Sequence, residues 1–340
     1  MSPNAHLARA MQQARVHLAS HRAGRTAATV AAARSRRPVV VGPWLAEVGF
    51  ELLYWIPFVR GVAQDAGLDP ERVVVVSRGG VAGWYGELAG RYVDLFDLIE
   101  PTRLASLQAD RIAAAGGQKQ LAVSGMDRDI YARVQEQLGQ PIDVLHPSLM
   151  FRRFRPVWMR LRSPTLAYRE LVFGPMRLGR AAPPARPYVA VKPYFSSAFP
   201  DEPGNRELVR SLVLSLATMV DVVTLTTGLN LDDHAEPEIP DHPAVRDGLA
   251  GVRPADNLAV QTALIASSRL FVGTYGGPAY LAPLVGVPAV GLFSAATSSS
   301  VHLDVLRHGL AQLGHPHAAG ISLVDARHLE TVSALAQAVR

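Results

Sequence analysis

Two carboxylates, Glu47 and Glu51, are the first candidates for chemistry in this sequence. They lie in GPWLAEVGFELLYWIPFVR, residues 42–60, where a loop follows an apolar strand and leads into a helix. A carboxylate in such a loop can remove a proton from a hydroxyl group if the fold exposes it in a cleft and tunes its pKa. Glu51 stands near the helix start, where the helix dipole alone would favour a negative charge. Glu47, in an apolar loop, has less structural reason to be acidic.

A glycine turn later in the chain is a candidate for binding an anion. A predicted strand at residues 270–273 ends in Thr274, Tyr275, Gly276 and Gly277, and a helix is predicted to begin at Pro278. Backbone N–H groups at such a helix start attract anions, and glycines let a ligand approach closely. The competing interpretation is an ordinary corner between a strand and a helix.

A lysine in a third loop could complete a clamp for a diphosphate. Lys192 follows a predicted strand and precedes hydroxyl side chains that include Ser196. Lys119 and Lys192 are the only lysines among 34 basic residues, so each could mark a place that needs a compact ammonium group. A solvated surface loop is the alternative interpretation of residues 191–205.

Other residues are weaker candidates. We place Trp44, Arg78 and His146 at the acceptor side of the cleft, although His146 fits a packing or hinge role better. Asp232 and Asp233 form an acidic pair in a polar, Pro-rich loop, which favours a solvated loop over a metal site. A basic connector at residues 152–162 could meet an anionic acceptor or simply be solvated.

The elements that position these residues follow an alternating pattern. Predicted strands at 39–41, 73–76, 188–191, 222–226, 270–273 and 289–293 alternate with predicted helices at 50–64, 107–115, 127–138, 205–219, 257–266 and 278–285. A further strand is predicted at 121–123, a helix or strand at 94–99, and a short strand followed by an amphipathic helix within residues 322–340. Such alternation indicates parallel sheets covered by helices. We therefore predict two Rossmann-like α/β domains facing each other across a cleft, at residues 38–180 and 181–340. Ligands of open α/β sheets bind beyond the carboxyl ends of the strands, where the candidate loops lie.

Composition narrows the functional classes. The 340 residues contain no cysteine, and no apolar run is long enough to cross a membrane. Residues 1–37 carry seven arginines and no acid. Because these seven charges exceed the formal net charge of +5, the rest of the chain is slightly acidic, and we expect no nucleic-acid partner. The arm fits a frayed tail better than a basic helix resting on an anionic membrane surface.

The run LIASSRLFVGTYGGPAYLAPLVGVP, residues 264–288, resembles a motif of the bacterial lipopolysaccharide heptosyltransferases, which are GT-B glycosyltransferases. Tyr275 and Gly276 replace an Asp-Thr pair of that motif, and Tyr280 replaces its His. Glu51 stands six residues before Pro57, as the catalytic Asp of that group stands before a proline. The first loop also resembles the GE-x-GWEL-x-x-W start of some surface-polysaccharide glycosyltransferases, in which Glu47 and Glu51 both have counterparts.

The resemblance implies an inverting glycosyltransferase that needs neither metal nor cofactor. It would move a sugar from a nucleotide-diphosphate sugar to a hydroxyl of a cell-envelope glycan or glycolipid. We expect it in the cytoplasm, with contact to the inner membrane surface as an option. Glu47 or Glu51 would be the base, and the donor phosphates would meet Lys192, Ser196, Thr274, Tyr275, Gly276 and Gly277. Two alternatives stay open: a two-Rossmann pyruvyltransferase or epimerase, and a related protein that binds a sugar nucleotide or glycan without turnover.

Overall fold

The computed structural model describes residues 36–163, 165, 168–179, 184–228, 234–295, 300–315 and 320–328 of the chain. The arm up to residue 35, the pair Asp232 and Asp233, and the helix expected beyond residue 328 lie outside these residues. The described part contains two parallel sheets, one formed by residues before position 181 and one by residues after it.

The first sheet has the strand order β3-β2-β1-β4. Its strands are β1 (Val39–Val41), β2 (Val73–Ser77), β3 (Arg91–Asp94) and β4 (Asp143–Leu145). β1 and β2 are valine runs buried along their whole length, as expected of parallel strands covered on both faces. The helices of this half are Val48–Phe50, Ile56–Ala66, Ala82–Tyr85, Leu95–Leu98, Pro101–Ala115, Gly125–Leu138 and Ser148–Trp158, with a π-helical segment at Glu51–Trp55 and 3-10 turns at Pro70–Arg72 and Gly86–Leu88.

The second sheet has the strand order β10-β9-β8-β5-β6-β7. Its strands are β5 (Tyr188–Lys192), β6 (Asp221–Thr224), β7 (Val245–Asp247), β8 (Leu270–Thr274), β9 (Ala289–Phe293) and β10 (Ile321–Asp325). Its helices are Pro203–Ala217, Asn257–Ala266, Gly277–Leu284 and Ser300–Leu313, with 3-10 turns at Pro254–Asp256 and Ala326–His328.

The strand predicted at 121–123 does not form. Gln120 donates to the Pro43 carbonyl at 2.9 Å and accepts from the Leu45 N–H at 2.8 Å, so its side chain ties this segment to the loop after β1. Residues 121–123 therefore run as a loop next to the segment that follows β1. The short strands β4 and β7 and the helix Ser300–Leu313 were not predicted.

The two halves meet closely where their strands end. A Cβ atom at Gly277 would lie 3.0 Å from the Gly49 nitrogen and 3.0 Å from the Val48 Cβ. Helix Ser300–Leu313 links the halves as well, because His302 Nδ1 lies 2.7 Å from the Tyr54 hydroxyl. The predicted architecture of two parallel α/β domains that face each other across a cleft is confirmed. Within the residues described, no helix combines the length and the apolar character needed to cross a bilayer.

Candidate functional site

The cleft between the domains is lined by the loops that follow β1, β2, β5, β6 and β8, and it has two lobes. The polar lobe includes Arg78, Lys192, Glu236, Asn257 and Gln261. The aromatic lobe includes Phe50, Tyr54, Tyr275, Tyr280 and His302. Residues that line both lobes are Glu47, Gly49, Tyr194, His234 and Gly277.

Glu47 stands at the junction of the two lobes. Its extended backbone precedes helix Val48–Phe50, and its carbonyl accepts from the N–H groups of Phe50 and Glu51 at 3.2 and 3.3 Å. These bonds hold the start of the helix, and the half-buried side chain lines the cleft. The structure therefore places this predicted residue where a base could meet a substrate.

Glu51 requires a correction, because its side chain is fully buried and lines neither lobe. One carboxyl oxygen accepts from Ser77 Oγ at 2.7 Å and from the Tyr85 hydroxyl at 2.8 Å. Burial raises the pKa of this carboxyl to about 7, although the two hydroxyls and the charge of Arg78 act in the opposite direction. A substrate in the cleft cannot reach Glu51, which instead supports the residues beneath the first loop.

Arg78 lies in the cleft as predicted. Its guanidinium donates to the carbonyls of Trp44 at 3.4 Å and Ala46 at 3.0 Å, so it holds the loop that leads into Glu47. This places a buried cation on the floor of the polar lobe.

Trp44 and His146 do not reach the cleft surface, which corrects their predicted position. Trp44 is fully buried and stacks on Trp55 and Phe151, with ring centroids 5.9 and 5.8 Å away. His146 is buried directly after β4, with Nε2 3.5 Å from Asp127 Oδ2 and Nδ1 accepting from the Ser148 N–H. Both residues pack and hold the first domain, because apolar contacts and local caps already use their side chains.

Lys192 points into the polar lobe and is held by an ion pair. Its ammonium lies 3.1 Å from Glu236 and donates to the Leu225 carbonyl at 2.6 Å. Burial alone would raise the pKa of Glu236, but Lys192 and the N–H groups of Gly228 and Thr227 lower it, so the carboxylate stays charged. The predicted phosphate-binding lysine is thus preoriented by an acid that the sequence analysis did not select.

The glycine turn serves both the fold and the cleft. Thr274 is buried, and its hydroxyl donates to the Tyr194 carbonyl at 2.6 Å while accepting from the Tyr194 N–H, so it ties two loops together instead of facing a phosphate. Tyr275 and Gly276 line the aromatic lobe, and Gly277 lines both lobes. The first N–H groups of helix Gly277–Leu284 have no partner within the helix, so the turn keeps donors near the junction.

The predicted Ser196 lines the aromatic lobe, on the opposite side of the junction from Lys192. The predicted phosphate set is therefore split, with Lys192 in one lobe, Ser196 and Gly276 in the other, and Gly277 between them.

His302 and the aromatic side chains beside it, Phe50 and Tyr54, line the aromatic lobe but are not among the site residues predicted from the sequence. Phe50 meets His302 edge-on at 5.3 Å, and Tyr54 does so at 5.6 Å. Burial, with the nearby charge of Lys119, lowers the pKa of His302 to about 4, so the imidazole is neutral at pH 7. The segment around residue 302 carries no recognisable motif, and only the fold brings it to the first domain.

Among the residues that the structure describes, no group of three or more His, Cys, Asp or Glu side chains is placed to hold a metal ion.

No protein-family model and no curated protein matches the chain. Solved structures similar to it include the glycosyl transferase family 9 protein of Veillonella parvula, with 12% identity over 86% of both chains and a TM-score of 0.43. E. coli ADP-heptose lps heptosyltransferase II is similar at 12% identity, over 85% of this chain and 90% of that chain, with a TM-score of 0.43. E. coli heptosyltransferase WaaC with ADP-2-deoxy-2-fluoro heptose is similar at 13% identity, over 88% and 98%, with a TM-score of 0.43. Two of these structures are heptosyltransferases, the group whose motif residues 264–288 resemble.

Proposed function

We propose that this protein is an inverting glycosyltransferase that needs no metal. It moves a sugar from a nucleotide-diphosphate sugar to a hydroxyl of a cell-envelope glycan or glycolipid, in the cytoplasm. The observation that carries the proposal is the position of Glu47, at the junction of a polar and an aromatic lobe between two parallel α/β domains. The motif resemblance of residues 264–288 adds support from the sequence.

The polar lobe suits the nucleotide of the donor. Asn257, Gln261 and Glu236 offer hydrogen-bonding groups for a base and a ribose, and Lys192 offers a cation for the diphosphate. The N–H groups at the start of helix Gly277–Leu284 lie at the inner end of this lobe, where the phosphates would enter the junction. The donor sugar would then lie beside Glu47.

The reaction is a single displacement at the anomeric carbon. Glu47 takes the proton from the acceptor hydroxyl as its oxygen forms a bond to that carbon. The bond from the carbon to the diphosphate oxygen breaks, and the diphosphate leaves with the electron pair, which inverts the configuration. Lys192 and the N–H dipoles near Gly277 stabilise the charge that develops on the leaving group. Glu51 contributes by supporting the first loop through Ser77 and Tyr85.

Nucleotide release tests the proposal. Purified protein is incubated with UDP-, GDP- and ADP-sugars, and with a CMP-sugar as a monophosphate control, while released nucleotide is measured. We expect release from one diphosphate donor and a loss of at least a hundredfold in Glu47→Gln, on the scale of general-base catalysis. Glu51→Gln is the matched control and should retain most of the activity. Full activity in Glu47→Gln would refute the assignment of the base.

The Lys192–Glu236 pair favours one second candidate, a protein that binds a sugar nucleotide without turnover. The carboxylate already neutralises the ammonium, so a diphosphate gains less from it. Calorimetric binding of a nucleotide with no release, unchanged in Glu47→Gln, would select this candidate.

A further inference from the structure

A cavity next to the cleft is not used by the proposed reaction. It lies between the end of helix Pro101–Ala115 and the start of helix Gly125–Leu138, and its wall is mostly apolar. Leu121 and Val123 are 40% and 42% exposed and both line this one cavity, and apolar side chains exposed together in this way mark ligand-binding grooves. Leu107 and Met126 extend the same wall.

The loop that carries this wall is firmly placed at the carboxyl end of the first sheet. Gln120 is buried, and both ends of its amide bond to the loop after β1, at Pro43 and Leu45. Since that loop leads directly to Glu47, the cavity is fixed in position relative to the candidate base.

Lys119 stands where the cavity adjoins the aromatic lobe. Its Nζ lies 5.1 Å from the ring centroid of Phe50, which lines that lobe, and 5.2 Å from the ring centroid of Trp158. Within the described ranges no carboxylate pairs with this ammonium, and its side chain is exposed. Burial lowers the pKa of His302 in the aromatic lobe, and the charge of Lys119 acts in the same direction.

The other charged groups of the cavity do not compete for the same role. Arg111 is buried and donates to the Gln118 carbonyl at 2.8 Å and to the Gln108 amide oxygen at 3.0 Å, so its donors serve the fold. Asp110 is an exposed acid of the lining. Lys119 is therefore the cation that can meet an anionic ligand at the side facing the cleft.

We propose that this cavity binds the lipid phosphate of a lipid-linked acceptor, with the phosphate at Lys119 and the first part of the hydrocarbon chain along Leu107, Leu121 and Val123. The sugar attached to that phosphate would enter the aromatic lobe towards Glu47. The inference rests on the proposed function for the identity of the ligand as an acceptor, but the binding itself is measured without turnover.

Calorimetric titration with decyl phosphate below its critical micelle concentration tests the proposal. We expect saturable binding at low salt that falls at least tenfold in Lys119→Gln, because a charge-assisted contact is lost. Lys119→Arg should retain most of the affinity. Leu121→Ser should also weaken binding, since it removes apolar contact. Arg103→Gln, at an exposed position of helix Pro101–Ala115 and outside the cavity lining, controls for the loss of one positive charge.

Inorganic phosphate and decyl glucoside separate the alternatives. Equal binding of inorganic phosphate would mean a simple anion site, and equal binding of decyl glucoside would mean an unspecific apolar site; either result overturns the proposal. Unchanged binding of decyl phosphate in Lys119→Gln and Leu121→Ser overturns it too. Lack of nucleotide release with normal decyl phosphate binding would instead remove the proposed function and leave a lipid-phosphate site.

Discussion

Replacing Glu51 by glutamine should change how the stability of the protein depends on pH. Glu51 is fully buried, and only one of its carboxyl oxygens has hydrogen-bond partners, Ser77 and Tyr85. The other oxygen lies in a site without a donor, so ionisation there is costly. Glutamine keeps an oxygen for the two hydroxyls and cannot ionise.

The size of the effect follows from the raised pKa. Burial moves the pKa of Glu51 from 4.5 to about 7 in the folded protein. Between these values the unfolded chain has released the proton while the folded protein still holds it, so the free energy of unfolding falls as pH rises. The loss is complete above the folded pKa and amounts to about 3 kcal/mol.

Chemical unfolding of wild type and Glu51→Gln at intervals from pH 4.5 to 8.5 measures this. We expect the stability of the variant relative to wild type to rise by about 3 kcal/mol across this window, most of it below pH 7.5. The buried amide nitrogen of the glutamine has no partner, but this cost is the same at every pH. It therefore does not contribute to the change in relative stability with pH. Glu136→Gln, the same substitution at an exposed position, controls for the loss of one carboxylate. A relative stability for Glu51→Gln that stays constant with pH would refute the reasoning.

Three further predictions concern the fold and the cleft. Trp44→Ala should lower the free energy of unfolding by about 3–5 kcal/mol in urea titration, because it empties a buried stack with Trp55; a loss below 1 kcal/mol would contradict this. Gly276→Ala should lower the free energy of unfolding by about 1–3 kcal/mol, since Gly276 has a φ of +154° and an added Cβ would overlap the Tyr194 hydroxyl. An unchanged thermal midpoint of unfolding would contradict this. Lys192→Met should raise the KM for the donor roughly tenfold or more, as a charge-assisted contact is lost, and an unchanged KM in initial-rate assays would remove the phosphate assignment.

Much of the fold could be predicted because it depends on local pattern. The valine runs of β1 and β2 and the alternation around helix Asn257–Ala266 carry strong signals, and that helix begins and ends where it was expected. β4 (DVL) and β7 (VRD) contain charged residues, so neither forms the continuous apolar run that identifies the equally short β1. Helix Ser300–Leu313 was not predicted, although the Thr and Ser residues at 297–300 and Gly314 are typical of helix starts and ends.

The positions of the candidate residues along the chain could be predicted from the sequence, but the contacts of their side chains could not. Glu47, Arg78 and Lys192 lie at strand ends, and parallel topology brings such ends together. Whether a side chain at a strand end faces the cleft or the core depends on tertiary packing. The side chains of Glu51 and Trp44 are therefore buried, although neighbouring positions line the cleft. Glu236 lines the cleft from a long loop that has no regular pattern to place it.

A crystal structure of the protein with a bound nucleotide-diphosphate sugar would show where the donor lies. We predict that the nucleoside lies in the polar lobe, the diphosphate lies between Lys192 Nζ and the Gly277 N–H, and the anomeric carbon faces Glu47. A nucleotide bound outside the cleft, or a sugar whose anomeric carbon points away from Glu47, would contradict this prediction.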